Sequence, residues 1–412
     1  MTIIVQENQA LPIFKNRNFL LLFISSLFSA PGYYVYLIGA EWLMLTLSEN
    51  RFYFGMLFFA ASVPRLLLLA LGGIVADRFN KRTILFFSDL LRALLIGSLL
   101  LFLYFDAVTA WHLIILAALF GIADAFSYPV TNSLTPLLLE EDQLQRGNSL
   151  IQMTIQISPI LGPALGGTLI AVLGFMGVFT VGCIMLLIAS ITVLFIQLSK
   201  TEEAENEKNS AWEDLKEGFI YARQSQLIMS IVFIAFFINF FFAGPFSIGM
   251  PIIVKDVFAG NSISLAVIQT SMGAGAMLGA IFLSIKNIKK PGMILLYSIM
   301  SVGCLYFLNG MSHYLWLSAG FVLLMAFLLQ LVNIPVFTIL QKTTDKRMLG
   351  RMMSLLVTVS TGLIPVSYIA TSLLIAIGVS VQQIMMTSGI FIVIIALFSL
   401  KNKRLRTLGS SS

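Results

Sequence analysis

Arg65, Asp89, Arg92 and Asp124 stand inside long apolar stretches of a 412-residue chain, where a charge has little water to solvate it. On membrane-insertion scales each lipid-facing charge costs roughly 2.5–3.5 kcal/mol, so four would cost about 10–14 kcal/mol. They must pair or line water. Counted inward from the ends of their stretches, Arg65 is about eleven residues deep, Asp89 about seven, and Arg92 and Asp124 about ten, a band roughly 10–16 Å deep at 1.5 Å per residue. Asp89 and Arg92, three residues apart, share a helical face and can pair locally. Arg65 and Asp124 are left as a cross-helix pair. Two chemistries suit such a set: a structural ion-pair network or a proton-linked role. Glu41 is a further acid, beyond "APGYYVY", where Pro31 and Gly32 loosen the helix so that water could reach it from the opposite face. It reads as a satisfied interfacial acid or as a proton site. In the second half of the chain the interior polar groups are neutral, among them Asn239, Gln269, Asn309, Gln330 and Asn333.

The elements that hold these residues are set by composition. Hydrophobic residues make up 58% of the chain and charged ones only 11%, about half the charged share of an ordinary soluble domain. Apolar stretches of the roughly 20 residues that cross a bilayer recur along the whole sequence, so an all-α polytopic membrane protein is expected. A transmembrane barrel would need short alternating segments. Hydropathy and turn signals give twelve spans, at 18–46, 53–75, 83–105, 111–133, 147–173, 175–198, 227–252, 264–285, 292–310, 313–336, 352–376 and 380–400. The first is too long for a signal-peptide core and is expected to be retained. Cys183 and Cys304 lie in separate apolar stretches, as small hydrophobes; no redox or metal chemistry is expected of them.

Of the 25 Lys and Arg, 21 fall on connections at one face, only Arg51 and Lys255 at the other, and Arg65 and Arg92 inside spans. By the positive-inside rule the basic face is cytoplasmic, together with both termini. The net charge of +6 then faces anionic inner-leaflet lipid, and no nucleic-acid partner is needed to explain it. The polar segment 199–226, acidic at its start, divides the chain into six-helix bundles at 1–198 and 227–412. Trp212, Leu215 and Phe219 recur at helical spacing in its second part, beside Lys216 and Arg223, as in a surface or linker helix. The halves echo each other: Pro129-Val130 recurs at Pro335-Val336, "RGNSL" at "RMMSL" and Pro159 at Pro365, all at offsets of 205 or 206. A duplicated six-helix unit leaves such a register.

"GGIVADRFNKR", residues 72–82, resembles the G-x-x-x-D-R-x-x-[RK]-[RK] loop of the major facilitator superfamily, between the second and third helices. "SPILGPALGG", residues 158–167, is similar to the G-x-x-x-G-P-x-x-G-G signature of that family's antiporters, with Ser158 in place of the first glycine. "SDLLRALL" at 88–95 and "DLKEGFIYARQ" at 214–224 look most like the branch with macrolide-efflux proteins and siderophore exporters. The resemblance implies two pseudo-symmetric bundles and a gate built from Gly73, Asp77, Arg78, Lys81 and Arg82, in which Asp77 holds the basic side closed. The bases alone are equally well read as topology signals. The resemblance further implies that helix 5, which carries Gly162, Pro163, Gly166 and Gly167, meets helix 8, where Gly275 and Gly279 repeat the four-residue spacing, at the boundary between the bundles; a generic close-packing seam is the alternative. Acids on the first helix serve related exporters as cation or proton sites, which bears on Glu41.

The expected activity is proton-coupled export of a bulky, amphipathic compound such as a drug or macrolide, by a monomer in a bacterial plasma membrane, with no cofactor beyond the proton gradient. Tyr33, Tyr34, Tyr36 and the phenylalanines at 236, 237 and 240–242 offer stacking surfaces, and Asn239 and Gln330 polar contacts, for a central cavity. No phosphate loop is present to power a pump by nucleotide hydrolysis. A siderophore or metabolite exporter would use exposed bases such as Arg65 and Arg92 for an anionic substrate. A lipid scramblase or membrane enzyme fits less well, because no catalytic constellation accompanies the gate signature.

Overall fold

The computed structural model describes residues 13–197, 217, 219–223, 225–286, 290–344, 348–402 and 406, and among them there is no strand. Helices α1 (Arg17–Leu47), α2 (Phe52–Arg78), α3 (Lys81–Tyr104) and α4 (Ala110–Leu138) are followed by a helical stretch Glu141–Leu194 broken at Gly174. The apolar part of that stretch is 52 residues long, and a single helix of that length would span about 78 Å, far more than a bilayer. Gly174 has φ +68°, a value glycine adopts without strain, and the chain reverses there into α5 (141–173) and α6 (175–194). The second group comprises α7 (Gln226–Ile252), extended by a π-helical turn at Ile253–Val257, then α8 (Ser262–Ile285), α9 (Pro291–Met311), α10 (Leu315–Thr343), α11 (Leu349–Gly362), α12 (Ile364–Ala376) and α13 (Val381–Leu400). The eleventh span is thus two short helices. Pro365, in the first turn of α12, cannot donate to the preceding turn, and the break falls at Leu363. With α11 and α12 taken together the chain crosses twelve times.

Sequence signals set the ends of the helices. Asn16, Asn80, Ser225, Asn261 and Ser380 accept backbone N–H groups at the starts of α1, α3, α7, α8 and α13. Each satisfies a donor that a helix start leaves orphaned. Gly378, at φ +93°, turns the chain from α12 into α13. Of the linker, Trp212, Leu215 and Lys216 lie outside the described residues; Phe219 and Ile220 are helical and exposed, and Glu217 pairs with Arg351 at the start of α11.

Packing is close where side chains are small. A Cβ on Gly72 would lie 2.1 Å from the Ala125 carbonyl oxygen, and one on Gly121 2.1 Å from that of Ala61, so α2 and α4 touch backbone to backbone. Gly275 and Gly279 likewise bring α8 close to α10, where Cβ atoms would lie 2.1 Å from the Leu323 carbonyl oxygen and 2.7 Å from that of Phe327. The motif glycines pack as follows. Gly72 packs within its own half, and a Cβ on Gly73 would meet nothing within 4 Å. Gly162 and Gly166 of α5 accommodate Tyr34 and Ile38 of α1, not α8. The α5–α8 contact is made by their neighbours: Gly167 against Ser262 and Ala266, and Gly273 against Pro159 and Ile160.

Candidate functional site

A cavity of about 430 Å³ lies between the two groups of helices, lined by α1, α2, α4 and α5 on one side and α7, α8 and α12 on the other. Among the described residues, the hydrogen bonds, ion pairs and ring contacts that join the two groups lie level with it or toward the face opposite the basic one. At that far face Arg51 holds Asp256 through Nε at 3.2 Å and Nη2 at 2.8 and 3.0 Å, and Lys255 donates to the Leu45 carbonyl. Below them Ser262 Oγ donates to the Gly167 carbonyl, a Cβ on Gly55 would overlap Ser372, and the rings of Phe58 and Tyr368 lie 5.3 Å apart. Deeper still, Thr270 Oγ1 donates to the Ile160 carbonyl. Toward the basic face α11 packs on α7, α10 and α12, and Gln156 on the cavity wall is exposed. The cavity is therefore sealed at the far face and opens toward the basic one.

The four charges in the apolar stretches form one network. Asp89 Oδ1 accepts from Ser29 Oγ at 2.9 Å and from Arg92 Nη1 at 3.1 Å. Arg92 Nη2 donates to Asp124 Oδ1 at 2.9 Å and to Ser127 Oγ at 2.8 Å. Asp124 Oδ2 is 2.8 Å from Arg65 Nε. Both pairs read from the spacing are present, and the bond between Arg92 and Asp124 joins them. The two arginines differ in surroundings. Arg92 is buried and both of its Nη groups are engaged. The Arg65 side chain is 47% exposed on the cavity wall, and its guanidinium carbon lies 5.7 Å from the Tyr128 ring centroid. Among the described residues only its Nε is matched to an acid, which leaves its two amino groups to the cavity.

Glu41 is 3% exposed and lines the cavity; its Oε2 accepts from Gln269 Nε2 of α8 at 2.5 Å. It is thus reached from the cavity, whereas the sequence suggests access from the far face. Its hydrogen bond crosses between the groups, and no base pairs with it among the described residues.

Tyr33 and Tyr36 line the cavity as expected of them, with Tyr34 beside them and Tyr36 stacked on Phe120 at 4.1 Å. The Tyr36 hydroxyl is buried and has no partner among the described residues. Asn239 and Gln330 do not line it: the Asn239 amide returns to the Ala235 carbonyl one turn back, and Gln330 leans on Gly279. Nor do the phenylalanines at 236, 237 and 240–242, which α7 turns away; Phe241 stacks on Phe391 and Phe242 on Phe246. Gln269, Met272, Phe246 and Tyr368 supply the second group's wall, and of these only Gln269 carried a sequence signal, as a neutral polar group in an apolar stretch. Lys81 and Arg82 begin α3, where Arg82 donates to the Ile196 carbonyl. Asp77 and Arg78 close α2, and their side chains lie outside the described residues. Pro163 lines the cavity, while Gly162, Gly166 and Gly167 are buried in the packing above.

Comparison with known proteins agrees with this architecture. The family model described as Major Facilitator Superfamily matches residues 22–367. Macrolide efflux protein A of Streptococcus pyogenes is 24% identical over 332 residues, 79% of this chain and 81% of that protein. The staphyloferrin A transporter of Staphylococcus aureus (strain NCTC 8325 / PS 47) is 27% identical over 290 residues, 68% of this chain and 70% of that protein. Among solved structures, a bacterial homolog of the human lysosomal transporter Spinster, inward-facing and unoccupied, superposes with a TM-score of 0.71 at 16% identity, covering 96% of this chain and 98% of that one.

Proposed function

Since the chain belongs to the major facilitator superfamily and is a membrane transporter of that family, we propose that it exports a bulky amphipathic compound from the cytoplasm in exchange for protons. The observation that carries this reading is the central cavity, bounded by both groups of helices, sealed at the far face and open at the basic one. With the basic face cytoplasmic by the positive-inside rule, this is the state that loads a substrate from inside. Rocking of one group against the other would break the far-face contacts and present the same cavity outward. The names of its relatives, a macrolide efflux protein and a siderophore transporter, support export of sizeable compounds.

Energy comes from the proton gradient, through Glu41. Asp89 and Asp124 are committed to arginines, whereas Glu41 bonds only to neutral Gln269 across the boundary between the groups. A proton gained or lost there changes a bond that ties the two groups together. Gly73 and Asp77 supply the gate that closes the basic side in the opposite state, and the chain works as a monomer in the bacterial plasma membrane. Growth of an efflux-deficient host expressing the chain, on a panel of antibiotics, dyes and siderophore precursors, tests the reading. Protection against at least one amphipathic compound is expected, and equal sensitivity to every compound with and without the chain would reject it.

One observation favours a second reading. The free amino groups of Arg65 suit a carboxylate, which a guanidinium binds through two parallel hydrogen bonds. A siderophore or other anionic metabolite would then be the cargo, and Arg65→Gln would abolish its transport while sparing that of cations.

A further inference from the structure

A second cavity, of about 240 Å³, lies away from the central one, between α12 and α13 with α7 as its floor. Its walls are apolar, Phe240, Phe241 and Pro245 among them, and Leu374 and Phe391 at its mouth are exposed on the membrane-facing side. Four hydroxyl-bearing residues line it: Ser367, which donates to the Phe240 carbonyl, the exposed Thr387, and two buried ones, Thr371 at 2% exposure and Ser388 at 5%. Neither hydroxyl has a hydrogen-bond partner among the described residues, in a part of the molecule where water is scarce.

Depth says what meets them. Thr371 is five residues from the far end of α12 and Ser388 seven from the start of α13, or roughly 7–10 Å in at 1.5 Å per residue. Outside the roughly 30 Å hydrocarbon core a bilayer has about 5–7 Å of polar layer on each side, so these hydroxyls stand where acyl chains join their ester groups. An ester carbonyl accepts hydrogen bonds, and an acyl chain fills an apolar crevice. The volume is below the roughly 300–1,000 Å³ of sites that enclose a whole drug-sized ligand, as suits a segment of chain.

The internal repeat shows that the first half of the chain has no such crevice. At the offset of 206, Phe241, Pro245, Ser388 and Phe391 correspond to Val35, Gly39, Gly182 and Met185. There the helices meet: a Cβ on Gly39 would lie 2.9 Å from the Phe179 ring, one on Gly32 3.1 Å from Met185, and one on Gly182 3.7 Å from Val35. We propose that the crevice between α12 and α13 binds one acyl chain of an outer-leaflet phospholipid, with Thr371 and Ser388 donating to its ester group. The adjacent face of α12 carries Tyr368 and Ser372, which pack on α2 at the far-face seal. The lipid thus backs the helix that must move when the far face opens.

The test uses the full chain reconstituted in phosphatidylethanolamine and phosphatidylglycerol vesicles containing a trace of phospholipid with a photoactivatable diazirine in its acyl chain, with crosslinks mapped by mass spectrometry. Crosslinking at Leu374 and Phe391 should exceed that at the lipid-facing Leu94 and Leu278. Thr371→Val and Ser388→Ala should each lower it about five-fold, as loss of one hydrogen bond does, with helix content unchanged. Thr387→Phe, which fills the crevice, should abolish the excess. Equal crosslinking at all four positions, or an excess that survives both hydroxyl substitutions, would overturn the assignment. Loss of the crosslink on adding excess macrolide would also overturn it, in favour of a lateral entrance for substrate.

Discussion

Glu41 on α1 and Gln269 on α8 are joined by a 2.5 Å hydrogen bond inside the central cavity, so a single proton-accepting group spans the boundary between the two groups of helices. Glu41→Gln keeps the size of the side chain and its capacity to bond Gln269 but removes the titratable group. The variant is expected to fold normally and to exchange labelled for unlabelled substrate, yet to lose accumulation driven by a pH gradient. Counterflow and gradient-driven uptake measured on the same vesicles distinguish this from a structural role, which would depress both.

The charge network predicts unequal costs. Arg92→Gln removes the buried partner of Asp89 and should destabilise by about 3–5 kcal/mol, as breaking one side of a buried ion pair does. Arg65→Gln removes a half-exposed partner, worth about 0–1 kcal/mol in the range of solvated pairs. The double variant Arg65→Gln, Asp124→Asn leaves the neutral pair Asp89–Arg92 and should approach wild-type stability. Thermal unfolding in detergent orders these variants; equal losses for Arg92→Gln and Arg65→Gln would contradict the division of roles.

Far-face closure rests on Arg51 and Asp256, and the two bases on that side of the chain, Arg51 and Lys255, both reach across it. Arg51→Gln should raise the labelling of a cysteine placed at Ser62, on the cavity wall, by an impermeant thiol reagent added from outside. Arg51→Asp with Asp256→Arg should restore protection. Unchanged labelling in Arg51→Gln would show that the apolar contacts beneath suffice.

How much of this was legible in the sequence depended on whether the property belongs to one helix or to two. Twelve crossings followed from hydropathy because span length is local. The break at Leu363 did not, since Pro365 alone is compatible with a kink or a stop. Depth placed Arg65, Asp89, Arg92 and Asp124 in one band, but the sharing of Asp124 between two arginines depends on how α2, α3 and α4 pack. Four-residue spacing marked glycine faces correctly without naming their neighbours. Gly162 and Gly166 face α1, Gly275 and Gly279 face α10, and the seam between the groups uses Gly167 and Gly273. That the phenylalanines of α7 at 236, 237 and 240–242 lie off the cavity is not legible, because a helix apolar all round carries no record of which side meets water.

Gly73 tests the gate independently of Asp77. With open space at its Cβ position, Gly73→Leu should fold and insert as wild type does, because a Cβ placed there meets nothing within 4 Å. If α2 must approach the other group to close the basic face, the same variant should stop transport and trap the open-to-cytoplasm state. Asp77→Asn should likewise slow transport at normal expression. Full transport by both variants would remove the gate from this loop.

The most direct test of proton-coupled export is uptake of a compound identified by the growth panel into everted membrane vesicles, whose interior corresponds to the cell's outside. An imposed gradient, acidic inside, should drive accumulation against the compound's concentration gradient, with compound entry matched by proton release into the medium, and both should vanish in Glu41→Gln. Accumulation that persists when the proton gradient is collapsed, or that survives Glu41→Gln in full, would contradict the account.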